Sequence, residues 1–243
     1  MFGTIKDDLI LPFNLLNNLF ELPEKIKFNQ PINSADVKFL PPVTPSKIIC
    51  VGRNYPAHAK ELGNEIPGEP LLFLKATSSI IVSGEKIVIP EQSNQVEYEG
   101  ELAIVIKKTC KNLSENDNAL EYIFGYFCLN DVTARDLQRK DVQFTRAKSF
   151  DTFCPISAFI ETNLDVSDIR LVTKVNGEIR QDGRTSEMVF SVPFLIQYIS
   201  NQMTLKAGDI VATGTPSGVS KLNRGDICEV EIEGIGILKN PVA

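Results

Sequence analysis

The segment Val96-Glu97-Tyr98-Glu99-Gly100-Glu101-Leu102 runs directly into Ala103-Ile104-Val105-Ile106. In an extended chain the side chains alternate between faces, so Glu97, Glu99 and Glu101 are expected on one side. The apolar run that follows has no alternation, which is the pattern of a strand covered on both faces. Carboxylates at the mouth of such a strand need positive compensation, because an unpaired buried charge is costly. A divalent cation can supply it, and Gly100 leaves room beside the site; a solvated face whose glutamates meet lysines is the plainer alternative. Asp131, in Leu129-Asn130-Asp131-Val132-Thr133, offers a further oxygen, although its type also suits a turn or cap. Two glutamates and an aspartate form an all-oxygen set suited to magnesium or manganese, with positions left for water and substrate.

His58 is the single histidine, and Glu61 stands three residues later. On a short helix the two are neighbours, so the carboxylate can orient the imidazole and raise its basicity. Such a pair could activate water near neutral pH, and a surface histidine beside a surface glutamate has the same spacing. A lone histidine excludes a histidine-rich zinc site. Arg53, Lys75, Arg135 and Lys148 are the cations available to an anionic substrate. Lys75 and Lys148 lie in largely apolar contexts, Leu71–Gly84 and Arg146–Phe150, where an unpaired ammonium is costly unless it snorkels to the surface.

These residues need elements to hold them. The stretch 47–52 reads as a strand, and 53–63 as a helix of about two turns with Asn54 as cap, Pro56 in its first turn and Gly63 as its stop. Strands are expected at 71–75, 79–84, 86–90 and through 96–108. Residues 119–129 fit either a helix beginning near Ser114 or Asn116 or a strand. A hairpin is expected over 170–183 with Asn176-Gly177 as its turn, and strand and turn again from 208 to 238. Residues 1–45 form a small preamble of strand and turn ending in the stiff Phe39–Pro45, and the main domain is expected over 46–243. Many strands and few long helical patterns favour a strand-rich α/β fold over alternating βαβ units.

A net charge of -6 and 43% hydrophobic residues describe a globular chain without the basic surface that nucleic acid requires. An anionic small molecule is still compatible, since a bound cation reverses the local sign. Cys50, Cys110, Cys128, Cys154 and Cys228 show no close pairing and are expected as buried reduced thiols of a cytoplasmic protein. No membrane span or secretory leader is expected. Gly214-Thr215-Pro216-Ser217-Gly218 is neither a phosphate loop nor a serine-hydrolase elbow, and reads as a turn whose backbone could meet substrate.

Seven blocks in order, Val51–Gly63, Pro70–Ile80, Val96–Ile106, Gly125–Gln138, Ala147–Pro155, Val175–Met188 and Leu205–Val219, resemble the fumarylacetoacetate hydrolase family, particularly its short members acting on acylpyruvates, oxaloacetate or hydroxymuconate-type diacids. The resemblance implies a rolled, mixed β-sandwich catalytic domain assembled as a homodimer. It implies Mg²⁺ or Mn²⁺ on Glu99, Glu101 and Asp131, a lid dyad of His58 and Glu61, and Lys148 as the active-site lysine. Arg53, Lys75, Arg135, Gln138 and Thr215 then line or support a pocket for a small anionic 2-oxo acid, while Glu97 is not a ligand. The activity implied first is hydrolysis of the C3–C4 bond of an acylpyruvate through a metal-stabilised pyruvate enolate, with water activated by His58. Isomerisation of hydroxymuconate-type diacids and decarboxylation of oxaloacetate are the alternatives, and a non-enzymatic metal-binding role is the remaining one.

Overall fold

The computed structural model describes residues 2–6, 8–13, 19–20 and 26–243. Two compact units result, residues 1–40 and 41–243. In the first, β1 (Phe2–Lys6), β2 (Leu9–Phe13) and β3 (Ile32–Asn33) form an antiparallel sheet, where strand and turn were expected. The part of that expectation falling on 14–16 lies outside the described residues.

The second unit opens with β4 (Ile48–Gly52), α1 (Pro56–Glu61), β5 (Leu71–Lys75), β6 (Ile80–Val82), β7 (Val96–Glu97) and β8 (Gly100–Ile106). There follow β9 (Ile123–Asn130), β10 (Thr133–Ala134), α2 (Arg135–Lys140), α3 (Thr145–Lys148) and β11 (Cys154–Ile156). The chain ends with β12 (Arg170–Val175), β13 (Glu178–Arg184), α4 (Val192–Gln202), β14 (Ile210–Ala212), β15 (Ile227–Ile232) and β16 (Gly236–Pro241). A curled seven-stranded mixed sheet has the order β5-β4-β14-β8-β9-β11-β6, and a four-stranded antiparallel sheet the order β13-β12-β15-β16. The fold is the strand-rich, mixed α/β roll expected.

The two sheets pack where β12 and β15 cross β8 and β9. Every residue of β8 is buried, in keeping with its unbroken apolar run, and its Leu102, Ile104 and Ile106 meet Leu171, Val230 and Ile232 in one core. On α4, Val192, Leu195, Ile196 and Ile199 repeat at helical spacing and close the same core, with Pro193 in the first turn. All five cysteines are buried and free, as expected.

Several expectations change. Residues 86–90 make only a single bridge, Ile87 to Val242, and no strand. The stretch 119–129 is a short 3₁₀ turn, capped by Asn118, followed by β9, so its aromatic and β-branched content prevails over the helical reading. The glutamate strand breaks at Tyr98 and Glu99 between β7 and β8. Asn176 (φ 53°) and Gly177 (φ 82°) make the expected tight hairpin turn.

Gly100 sits where β8 lies directly against β12 and β15. A Cβ there would stand 2.1 Å from Thr173 Oγ1 and 3.2 Å from Val230 Cγ1. Gly100→Ala should therefore destabilise the protein by about 1–3 kcal/mol through overpacking. The measurement is urea unfolding; a wild-type midpoint would show that the sheets have room.

Candidate active site

The carboxylates converge because of strand register. β8 and β9 pair with Gly100 opposite Asn130 and Glu101 opposite Leu129, which sets Asp131 beside Glu99, and the Asp131 N–H donates to Glu99 O at 2.8 Å. One carboxylate oxygen from each of Glu99, Glu101 and Asp131 lies within 4.8 Å of the others, and all three residues are buried. Like charges placed together on neighbouring strands repel, so cations must enter from elsewhere.

Three side chains supply them. From α3, Lys148 Nζ donates to Glu99 Oε2 and Asp131 Oδ2, both at 2.7 Å. From the end of β5, Lys75 Nζ donates to Asp131 Oδ1 at 2.5 Å and to Val132 O at 3.2 Å. From the start of α2, Arg135 donates to Glu97 Oε2 through Nε at 2.7 Å, to Glu99 Oε1, and to Gln138 Oε1 at 2.6 Å. Glu97 also accepts from Gln95 at 2.5 Å, so its oxygens are engaged away from the cluster. Lys75, expected to line or support the pocket, is buried with its ammonium held by Asp131 and is not among the cavity-lining residues.

Four buried carboxylates thus face three buried cations, and Glu101 is the one without a cationic partner among the described residues. Gly214 N–H donates to its Oε2 at 2.8 Å. Burial, with Asp131 and Glu99 adding like charge, pushes the Glu101 carboxyl well above the usual range. For Glu99, burial acts in the same direction, but Lys148 and Arg135 outweigh it and hold the carboxyl well below that range. Lys148 is raised above its ordinary value: burial pulls it down, and Asp131 and Glu99 more than offset that. An all-carboxylate donor set with one uncompensated member fits a hard divalent cation.

The cluster opens into a cavity of about 380 Å³, whose walls include Arg53, His58, Glu61, Glu99, Glu101, Arg135, Gln138, Lys148 and Thr215. Most of the expected site residues therefore meet in one place. His58 lies on α1, only 5% exposed, with Nδ1 3.3 Å from Glu61 Oε2. The Glu61 carboxylate also accepts from Gly218 N at 3.0 Å, fixing α1 to the loop after β14. Burial lowers the His58 pKa below its ordinary value; Glu99 and Glu61 oppose this incompletely, and Arg135 acts in the same direction as burial.

Asn54 does not cap α1, whose cap position is Tyr55. Its amide is buried instead, donating to Thr213 O at 2.7 Å and Phe190 O at 3.1 Å and accepting from Phe190 N at 2.8 Å. The preceding residue, Arg53, is in a left-handed conformation (φ 58°) at the cavity wall. Residues that sequence reasoning passed over include Phe73, Phe144 and Arg139 in the wall, and Gln181 beneath it. The Phe73 ring lies 5.0 Å from Lys148 Nζ, and no spacing rule marks such a contact.

The family described as fumarylacetoacetate (FAA) hydrolase C-terminal matches residues 47–243. The chain belongs to this family. It is similar to the mitochondrial oxaloacetate decarboxylase of Dictyostelium discoideum, 46% identical over 199 residues that cover 79% of this chain and 91% of the relative. It is similar to oxaloacetate tautomerase YisK of Bacillus subtilis, 43% identical over 223 residues, 86% of this chain and 74% of the relative. Among solved structures, 5-carboxymethyl-2-hydroxymuconate delta-isomerase from Mycobacterium smegmatis superposes with a TM-score of 0.89 at 41% identity, covering 99% and 94% of the two chains. This family member is an enzyme whose site is organised for metal-assisted chemistry on small keto acids. No described helix is long and apolar enough to cross a membrane.

Glu101→Gln removes the uncompensated carboxylate while leaving an oxygen for Gly214. Because an acid whose folded pKa is raised loses stability as pH climbs above its unfolded value of about 4.3, the metal-free variant should melt higher than wild type at neutral pH. Divalent metal binding by calorimetry should be lost in the same variant. A lower melting temperature with intact metal affinity would contradict the assignment.

Proposed function

We propose that the chain is a divalent-metal-dependent tautomerase of small 2-oxo diacids of the oxaloacetate type, using Mg²⁺ or Mn²⁺ on Glu99, Glu101 and Asp131. The observation that carries this reading is a buried histidine on one wall of the cavity and a carboxylate cluster on another. Bound there, the ion supplies Lewis-acid stabilisation of negative charge on substrate oxygens.

The chain's own residues do the rest. With Nδ1 directed at the Glu61 carboxylate, the imidazole carries its proton on Nδ1 and leaves Nε2 as the free base. His58 can then accept a proton from the carbon beside the keto group or return one to it, while a proton is lost from or gained at the keto oxygen in the opposite sense. The 3.3 Å spacing of the pair is long, as catalytic contacts often are before substrate tightens them. Arg53 and Arg135, together with Lys148, give the cavity wall the positive groups an anionic diacid needs. The volume suits a small molecule rather than a polymer.

Relatives named for oxaloacetate decarboxylation, oxaloacetate tautomerisation and hydroxymuconate isomerisation support proton transfer or C–C cleavage of a diacid. They draw the balance away from the acylpyruvate hydrolysis expected first. Hydrolysis is the second reading, favoured by the His58–Glu61 pair itself, which has the composition of a water-activating dyad.

Enol-oxaloacetate, oxaloacetate and acetylpyruvate, each given to the Mg²⁺-loaded protein and followed by absorbance and NMR, separate these activities. Accelerated enol-to-keto conversion without pyruvate formation is expected. Pyruvate with acetate from acetylpyruvate would establish hydrolysis instead, and CO₂ with pyruvate from oxaloacetate would establish decarboxylation. His58→Ala should lower kcat by about 10²–10⁴-fold with little change in metal affinity. Because burial depresses the His58 pKa, the acid limb of kcat/KM should fall below the ordinary histidine value of about 6.5 and vanish in the variant. An acid limb that survives the substitution would remove His58 from the proton transfer.

A further inference from the structure

Gly100 separates two of the metal-site carboxylates, and both of its backbone polar groups are held by side chains. Its N–H donates to Gln181 Oε1 at 3.0 Å, and its carbonyl accepts from Thr215 Oγ1 at 2.8 Å. The ring is closed by Gln181 Nε2, which donates to Thr215 Oγ1 at 2.7 Å and to Pro216 O at 2.7 Å. Gln181 comes from β13 in the other sheet and is completely buried. The need for it follows from strand length. β14 pairs with β8 only as far as Ala103, so on that side Gly100 has no strand to satisfy it. A buried amide with one acceptor and two donors replaces that missing strand, and every one of those groups is engaged.

The same loop serves both halves of the site. Gly214 N–H holds Glu101, and Gly218 N–H holds Glu61. The loop runs tight against β13: a Cβ on Gly218 (φ +105°) would stand 1.9 Å from Arg180 O. We propose that Gln181, acting with Thr215, is a positioning residue that holds Glu99–Glu101 and the loop 213–218 in one frame, setting the metal carboxylates and the docking point of Glu61 together. This rests on the metal reading of the carboxylate cluster. Gln181 touches neither substrate nor metal in this role; it acts through the Gly100 peptide and Thr215.

Gln181→Met preserves the side-chain size and removes every polar contact. Titration with Mn²⁺ alone, followed by electron paramagnetic resonance, should show an affinity at least about 10-fold weaker than wild type, the usual scale for residues that orient metal ligands. kcat should fall more than KM rises, because Glu61 loses its docking point along with the carboxylates. A merely structural role would lower the melting temperature and leave the Mn²⁺ titration unchanged, and that result in a folded Gln181→Met overturns the proposal. Should Gln181→Met fail to fold, Thr215→Val and Thr215→Ser provide the comparison: Val is expected to weaken Mn²⁺ binding and Ser to restore it, and identical titrations overturn the proposal. A wild-type protein with no Mn²⁺ affinity would defeat the metal reading, and this assignment with it, and is recognised from the wild type alone.

Discussion

The repulsion among Glu99, Glu101 and Asp131 is the constraint around which the rest of the molecule is arranged. It follows from backbone pairing: with Gly100 opposite Asn130, Glu99 and Asp131 at the end of that pair must lie close, and both are acids. Buried carboxylates at such spacing cannot all be ionised without neighbouring positive charge. The fold brings Lys75, Arg135 and Lys148 to them from one strand and two short helices. The short helices α2 and α3 have few residues to bury, and their contribution is to deliver these two heads into the site.

Such pairs are weak evidence of stability. The desolvation of each ion offsets much of its attraction, whereas removing one partner strands the other at a cost of roughly 3–5 kcal/mol. The cluster is therefore better understood as a specified arrangement than as a source of folding energy. The folding energy lies in the apolar contact between β8 and β9 on one side and β12, β15 and α4 on the other. That rigid sandwich permits a strained, like-charged edge to persist, and Gly100 marks the position where core packing and charge cluster share one residue.

Much of this was legible in the residues. The unbroken run Leu102–Ile106 announced a strand buried on both faces, and Asn176-Gly177 announced its hairpin. His58 and Glu61 at helical spacing do pair. The alternation argument placed Glu97 with Glu99 and Glu101; Glu97 does share Arg135 with Glu99, but the strand is interrupted at Tyr98 and Glu99 and the Glu97 carboxylate stands outside the three-carboxylate cluster. The apolar context of Lys75 signals burial, and burial alone does not say that Asp131 answers it. Asn54 has the composition of a cap, yet its amide bridges Thr213 and Phe190, more than a hundred residues away. Gln181 gives no local signal, as a single polar residue in a strand looks the same whether it faces solvent or completes a distant backbone.

These failures share a cause. Local rules read what a residue does to its neighbours in the chain, and the unforeseen contacts all satisfy groups left open by tertiary pairing. Glu101 shows the limit of that compensation. Every other acid of the cluster is answered by a lysine or arginine, whereas Glu101 receives one backbone N–H and stays uncompensated. A fold selected for stability alone would place a cation or an apolar side chain there. Leaving a buried carboxylate open at a cavity lined by arginines creates a place where a divalent ion gains affinity from the same imbalance that costs the metal-free chain stability. The charge defect and the chemical capacity of the site are then one property of the same side chain.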